Sequence, residues 1–118
     1  MARILVVDDA AFMRMRCAKL LGEQGYEVCE AANGLEALEK YKELGPDGVL
    51  LDITMPDMDG ISTLKNLLQM DPNAKVAMVT AMGQKSMIIE ALKSGAKDFV
   101  IKPFDGERVL AAVTKLLA

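Results

Sequence analysis

The chain alternates short apolar runs with longer segments in which apolar residues recur three and four positions apart. The runs cover residues 3–8, 26–31, 48–51, 75–80 and 99–101. The longer segments cover residues 10–21, 35–44, 61–70, 84–94 and 105–117. Apolar spacing of three and four predicts helices, and short continuous apolar runs bounded by turn residues predict buried strands. The pattern therefore predicts five strands alternating with five helices.

Strands that are apolar along their whole length are typical of a parallel sheet buried on both faces. Parallel neighbours need crossover connections, which are right-handed. We therefore predict an α/β fold, (βα)5: a doubly wound, flavodoxin-like sheet of five parallel strands in the order 2-1-3-4-5, forming one domain over residues 1–118. In such a sheet ligands bind beyond the carboxyl ends of the strands, near the switch point between strands 1 and 3.

Composition excludes several other classes of protein. The longest apolar run has five residues, 109–113, which is too short for a transmembrane helix, so we expect no membrane insertion. The N-terminus lacks the features of a secretory signal, and we expect a cytoplasmic protein. The chain has no histidine, and Cys17 and Cys29 lack the spacing of metal ligands. Its net charge of −3 gives no reason to expect direct nucleic-acid binding.

Polar residues follow the apolar runs at four predicted strand ends. They are Asp8 and Asp9, Asp52, Thr80 and Lys102. Three carboxylates at one sheet edge repel each other unless a cation offsets the charge or a pKa rises. Because all are oxygen ligands and none is cysteine or histidine, they favour a hard cation, and a few carboxylates with retained waters suit Mg²⁺ better than Ca²⁺.

A divalent cation beside a lysine and a hydroxyl is suited to holding a phosphoryl group while a carboxylate attacks it. Asp52 stands alone at the end of the central strand, so we assign it as the nucleophile and Asp8-Asp9 as the metal-binding pair. Taken singly, each residue has an ordinary alternative: a helix cap, a strand hydroxyl or a solvated charge. The combination of complementary groups at four strand ends favours the phosphoryl site.

Four motifs carry a family resemblance: ILVVDD at 4–9, LDITMPDMDG at 51–60, VTA at 79–81 and VIKPF at 100–104. Together, in this order and spacing, they resemble the receiver domains of two-component response regulators. The stretches DDAAFMR at 8–14 and SGAKDFVIKPF at 94–104 are similar to those of single-domain chemotaxis regulators. The likeness extends over essentially the whole chain.

The resemblance implies that Asp52 accepts a phosphoryl group from a histidine kinase. It also implies that Asp9 binds Mg²⁺ directly, with Asp8 as its acidic neighbour and the backbone carbonyl of Thr54 as a further ligand. Such a protein catalyses only its own phosphorylation and slow autodephosphorylation, so we do not expect an enzyme with a separate substrate.

For signalling, the resemblance implies phosphoryl contacts from Thr80 and Lys102, a cis peptide before Pro103, and a switch in which Thr80 and Phe99 move together. Phe99 occupies a position that is tyrosine in many chemotaxis regulators. The implied output surface, for a downstream protein partner, is helix 4, strand 5 and helix 5.

Three consecutive apolar residues, 87–89, spread over about 200° of the fourth helix, wider than a typical apolar stripe. If Ile89 and Leu92 face the core, Ile88 or Met87 is the exposed apolar contact, of the kind that marks a partner site. We select Ile88 for the partner surface.

Three other functions are compatible with parts of the pattern. The chain could be the receiver of a longer DNA-binding regulator, or a phosphatase that uses the same aspartate, although Thr54 does not supply the second catalytic acid that such a phosphatase needs. A flavodoxin-like redox protein is the third, and Asp8-Asp9 argues against binding a flavin phosphate. The sequence does not identify the kinase or the partner, and we expect a monomer.

Overall fold

The computed structural model describes residues 2–55 and 58–118. In that part of the chain five strands alternate with five helices. The strands are β1 (Arg3–Val7), β2 (Glu27–Ala31), β3 (Gly48–Asp52), β4 (Val76–Ala81) and β5 (Asp98–Lys102). The helices are α1 (Ala11–Glu23), α2 (Gly34–Leu44), α3 (Gly60–Met70), α4 (Lys85–Ser94) and α5 (Gly106–Leu117). Each element lies where the apolar pattern predicts it, with ends shifted by at most two residues.

The strands form one parallel sheet in the order β2-β1-β3-β4-β5, which confirms the predicted topology. β3 lies at the centre and pairs with β1 and β4. The chain reverses direction across the sheet between β1 and β3, so their carboxyl ends flank the crevice where such sheets bind ligands.

Alternate strand residues enter two separate cores, one on each face of the sheet. Leu5, Val49 and Met78 pack under α2, α3 and α4, whereas Ile4 and Leu50 pack under α1 and α5. All five side chains are at most 1% exposed. This two-sided burial explains why the strands are apolar throughout, and it fixes the register of the strand ends that carry polar groups.

The end of β3 is held by a close backbone contact with the start of α3. The Gly60 N–H donates to the Ile53 carbonyl at 2.7 Å. A Cβ at Gly60 would lie 2.2 Å from the Asp52 carbonyl oxygen and 2.5 Å from the Ile53 Cα, so only glycine fits there. The Asp59 carboxylate caps α3 by accepting from the Ser62 N–H at 2.7 Å. The backbone of Ile53, the residue after β3, is therefore held in place by the start of α3.

Among the described residues, no helix combines the length and the apolar character needed to cross a membrane. Pro56 and Asp57, which belong to the 51–60 motif, lie outside the described residues.

Candidate functional site

Three aspartates meet at the carboxyl end of the sheet. Asp8 follows β1 and Asp52 ends β3, and each is 5% exposed, whereas Asp9 is exposed to solvent. One carboxylate oxygen from each residue lies within 4.8 Å of those of the other two. The structure thus brings together the three aspartates that the sequence predicts at one edge of the sheet.

Backbone contacts fix the position of Asp8. Its N–H donates to the Ala31 carbonyl of β2 at 3.1 Å, and its Oδ1 accepts from the Ala10 N–H at 2.9 Å. The Arg14 Nη1 donates to the Asp8 carbonyl at 2.6 Å. The turn from β1 into α1 therefore holds the first carboxylate against the site, so little further ordering is needed when a cation binds.

Lys102, the last residue of β5, reaches across the neighbouring strand to this cluster. Its Nζ lies 2.9 Å from Asp8 Oδ2 and 3.6 Å from Asp52 Oδ2. Burial lowers the pKa of Lys102, but the hydrogen bond to Asp8 and the charges of both aspartates outweigh it and raise the pKa above its ordinary value. The ammonium is therefore firmly protonated beside the carboxylates of Asp8 and Asp52.

The surroundings of Asp52 disfavour the charged form of its carboxyl group. Burial, followed by the negative charge of Asp8, raises its pKa to about 6, although Lys102 opposes the shift. A divalent cation would relieve this repulsion, and the donors are all carboxylate oxygens, one of them open to solvent. This donor set fits Mg²⁺, which keeps several waters and uses few protein ligands.

Thr54 also lies beside the cluster. Its backbone N–H is 3.4 Å from Asp52 Oδ1, and its side chain is exposed. The resemblance assigns its carbonyl to the metal. Its hydroxyl accepts a hydrogen bond from the Gln84 Nε2 at 2.9 Å.

Thr80 is fully buried. It lies next to the end of β3, because its neighbour Val79 pairs with Asp52. The Thr80 hydroxyl donates to Gln84 Oε1 through a short hydrogen bond and lies 3.3 Å from the Ala81 carbonyl. Gln84 is the site residue that the sequence did not indicate. A single polar residue before a helix gave no signal, and its partner Thr54 is thirty positions away in the sequence.

The peptide between Lys102 and Pro103 is cis, as predicted.

The predicted orientation of α4 is wrong. Ile89 and Leu92 are 43% and 39% exposed, whereas Met87 and Ile88 pack against the core. The inner stripe runs through positions 87, 88 and 91, and Ala91 is completely buried in it. The fully buried residue of this stripe is the small Ala91, whereas the larger Ile89 and Leu92 face outward.

Phe99 is half-buried and forms part of an apolar groove between α4 and β5. The groove has a volume of about 410 Å³, and the apolar side chains that line it include Ile88, Ile89, Leu92, Phe99 and Ile101. Ile88 thus contributes a wall of the groove rather than the protruding contact predicted for it. α5 is tied to this region because Arg108 donates to the Phe99 carbonyl and pairs with Asp98 at 3.2 Å.

Comparison with known proteins assigns the family. Residues 4–114 match the family model of the response regulator receiver domain. The chain belongs to this family. It is 56% identical over 115 residues to the chemotaxis protein CheY of Thermotoga maritima and 57% identical over 116 residues to CheY of Bacillus subtilis. These alignments cover 97% and 98% of this chain and 96% and 97% of the relatives.

Among solved structures, the receiver domain is similar to a chain of the CheX–CheY–BeF3–Mg²⁺ complex from Borrelia burgdorferi. The TM-score is 0.94 at 38% identity, covering 99% of this chain and 90% of that chain. Together with the CheY relatives, this similarity identifies a chemotaxis-type two-component response regulator.

Proposed function

We propose that this receiver domain accepts a phosphoryl group from a histidine kinase onto Asp52 in the presence of Mg²⁺, and that the phosphorylated form binds a downstream protein. The observation that carries the proposal is the buried Asp52 carboxylate, grouped with Asp8 and Asp9 and 3.6 Å from the Lys102 ammonium. Asp52 supplies the nucleophile, and Lys102 supplies a fixed positive charge beside it.

In the transfer step, a carboxylate oxygen of Asp52 attacks the phosphorus. The bond between phosphorus and the kinase's imidazole nitrogen breaks, and its electron pair remains on the imidazole. Asp8, Asp9, Asp52 and the Thr54 carbonyl would hold Mg²⁺, which would supply positive charge to offset that of the phosphoryl oxygens. Lys102 contacts a phosphoryl oxygen, and the Thr80 hydroxyl donates to another.

The protein acts on itself rather than on a separate substrate. We expect slow autodephosphorylation by water as its other reaction. The alternative phosphatase needs a second catalytic acid near the nucleophile, and Thr54, two residues after Asp52, has an exposed side chain with no acidic function. The chemotaxis relatives favour neither this alternative nor a receiver of a DNA-binding regulator.

The output surface is assigned to α4, β5 and α5, with the apolar groove as its centre. An exposed groove lined by Ile89, Leu92 and Ile101 is suited to an apolar segment of a partner protein. Phosphorylation would draw the Thr80 hydroxyl toward Asp52 and leave space into which the Phe99 ring can turn. We further propose that the protein is a monomer, that it is cytoplasmic, and that it does not bind nucleic acid directly.

Phosphotransfer from a panel of labelled histidine kinases tests this function. We expect rapid labelling by at least one kinase with Mg²⁺, none with a chelator, and none of Asp52→Asn. Asp47→Asn is a matched control, because Asp47 is an exposed aspartate outside the cluster. Failure of every kinase to label the wild-type protein, or equal labelling of Asp52→Asn, would contradict the proposal.

A further inference from the structure

Gln84 stands immediately before α4, but its side chain does not cap that helix. Instead its backbone carbonyl starts the helix by accepting from the Met87 and Ile88 N–H groups at 3.1 and 3.0 Å. The side-chain amide extends toward the phosphorylation site. The hydrogen bonds of the Gln84 side chain are therefore made to the strand ends and not to the helix.

The Gln84 amide joins two segments around Asp52. Its Oε1 accepts from the Thr80 hydroxyl and from the Ala81 N–H at 3.2 Å, both at the end of β4. Its Nε2 donates to the Thr54 hydroxyl at 2.9 Å, in the segment that follows β3. One side chain thus links α4 to both strand ends beside the nucleophile.

A threonine hydroxyl has one hydrogen to donate. In this structure it is given to Gln84 Oε1, with the Ala81 carbonyl as the only other nearby acceptor at 3.3 Å among the described residues. Donation to a phosphoryl oxygen on Asp52 therefore requires that the hydrogen bond between Thr80 and Gln84 break. The two acceptors compete for the same hydrogen.

We propose that Gln84 is a latch that holds the Thr80 hydroxyl in the unphosphorylated arrangement and so opposes the switch. The inference rests on the proposed phosphorylation of Asp52. Because Gln84 is a positioning residue that acts through Thr80, it changes the balance between the two arrangements and does not contact the reacting atoms.

The latch is weak enough to release. When the hydrogen bond from Thr80 breaks, Gln84 Oε1 still accepts from the Ala81 N–H, and Nε2 still donates to the Thr54 hydroxyl. The amide is therefore not left without hydrogen bonds. The cost is one hydrogen bond between neutral groups, which corresponds to about a 2- to 10-fold change in an equilibrium constant.

Calorimetric titration with beryllofluoride, which mimics a phosphoryl group on a carboxylate, tests the latch in saturating Mg²⁺. Gln84→Met keeps the length of the side chain but removes its hydrogen bonds, and we expect it to bind beryllofluoride about 2- to 10-fold more tightly than wild type. Gln69→Met, the same change on the exposed face of α3, should bind like wild type. Gln84→Ala should agree in direction with Gln84→Met, which excludes a new methionine contact as the cause.

A double-mutant cycle separates a latch from a general structural role. In the Thr80→Ala background Gln84→Met should give no gain, because the hydroxyl that Gln84 holds is absent. Mg²⁺ affinity without beryllofluoride should stay within about 2-fold of wild type. Unchanged or weaker beryllofluoride binding by Gln84→Met, or the same gain without Thr80, would overturn the latch. Absence of binding by wild type would overturn the proposed function and the latch with it.

Discussion

At the scale of single residues, the site is dominated by uncompensated negative charge. Three carboxylates converge there, and among the described residues Lys102 is the ammonium paired with them. The buried Asp52 has its pKa raised to about 6 by burial and by Asp8. Packing alone would not select a carboxylate at the end of the central strand. We propose that the charge is tolerated because the three carboxylates bind a cation.

The raised pKa of Asp52 predicts a pH-dependent cost in the metal-free protein. A carboxyl group whose folded-state pKa lies above its unfolded value stabilises the fold most at low pH, and this contribution is lost as pH rises through about 6. At pH 7.5, without metal, Asp52→Asn should therefore be more stable than wild type, by about 1–2 kcal/mol. Thermal melts in a chelator should show an advantage of roughly 5 °C that shrinks toward pH 4.5. An advantage that grows as pH falls would contradict this account.

Binding of Mg²⁺ should stabilise the fold because it relieves the same repulsion. A ligand at 100 times its dissociation constant adds about 2.7 kcal/mol to the stability of the folded state. Melting midpoints measured with and without millimolar Mg²⁺ should differ for wild type and coincide for Asp9→Asn. Asp105→Asn is a control, since that residue caps α5 outside the cluster. An unchanged wild-type midpoint would exclude a Mg²⁺ site of useful affinity.

At the scale of elements, the outward face of α4 can be tested by paired truncations. Leu92→Ala removes a side chain that is 39% exposed, and we expect it to cost less than about 1 kcal/mol. Leu64→Ala, in the neighbouring α3, removes a fully buried side chain and should cost about 2–5 kcal/mol. Chemical denaturation measures both. Equal costs would mean that Leu92 faces the core, as the sequence pattern alone suggested.

The sequence predicted what depends on local patterns and sheet topology. Apolar runs fixed the strands, and because parallel strands end at one edge, Asp8, Asp52 and Lys102 had to meet there. It did not predict the rotation of α4, because three consecutive apolar residues leave the inner stripe undetermined. In the structure Ala91 is the fully buried position of this helix, and the apolar pattern alone does not distinguish it from its larger neighbours.

The role of Gln84 was not predictable for a different reason. Its hydrogen bond to Thr54 joins residues thirty positions apart, in segments whose approach depends on the packing of α3 and α4. A polar residue that precedes a helix usually caps it or faces solvent, so its type and position carried no signal. Side-chain contacts between loops become visible only after the elements are assembled.

At the scale of the whole molecule, the phosphorylation site and the groove are two ends of one connected region. Thr80 and Gln84 link Asp52 to the start of α4, and Lys102 links it to β5, the strand that carries Phe99. We therefore expect a change at Asp52 to reach both walls of the groove, through Thr80 and Gln84 on the α4 side and through Lys102 on the β5 side.

Backbone amide shifts on addition of beryllofluoride and Mg²⁺ should follow this route. We expect changes that extend through residues 84–110 in wild type. Lys102→Ala should still accept the analogue but show much smaller changes in β5, because the ammonium that ties β5 to the phosphoryl group is gone. Wild-type changes confined to the neighbours of Asp52, with Phe99 in one unaltered rotamer, would contradict a switch at the groove.

The central claim, that Asp52 is the one phosphoacceptor, is tested most directly by intact-mass measurement after treatment with acetyl phosphate and Mg²⁺. This small donor removes any dependence on the choice of kinase. We expect a gain of one phosphoryl group in wild type and in Asp47→Asn, and none in Asp52→Asn or in wild type with a chelator. Addition of a phosphoryl group to Asp52→Asn at the wild-type level would place the nucleophile elsewhere and contradict the account.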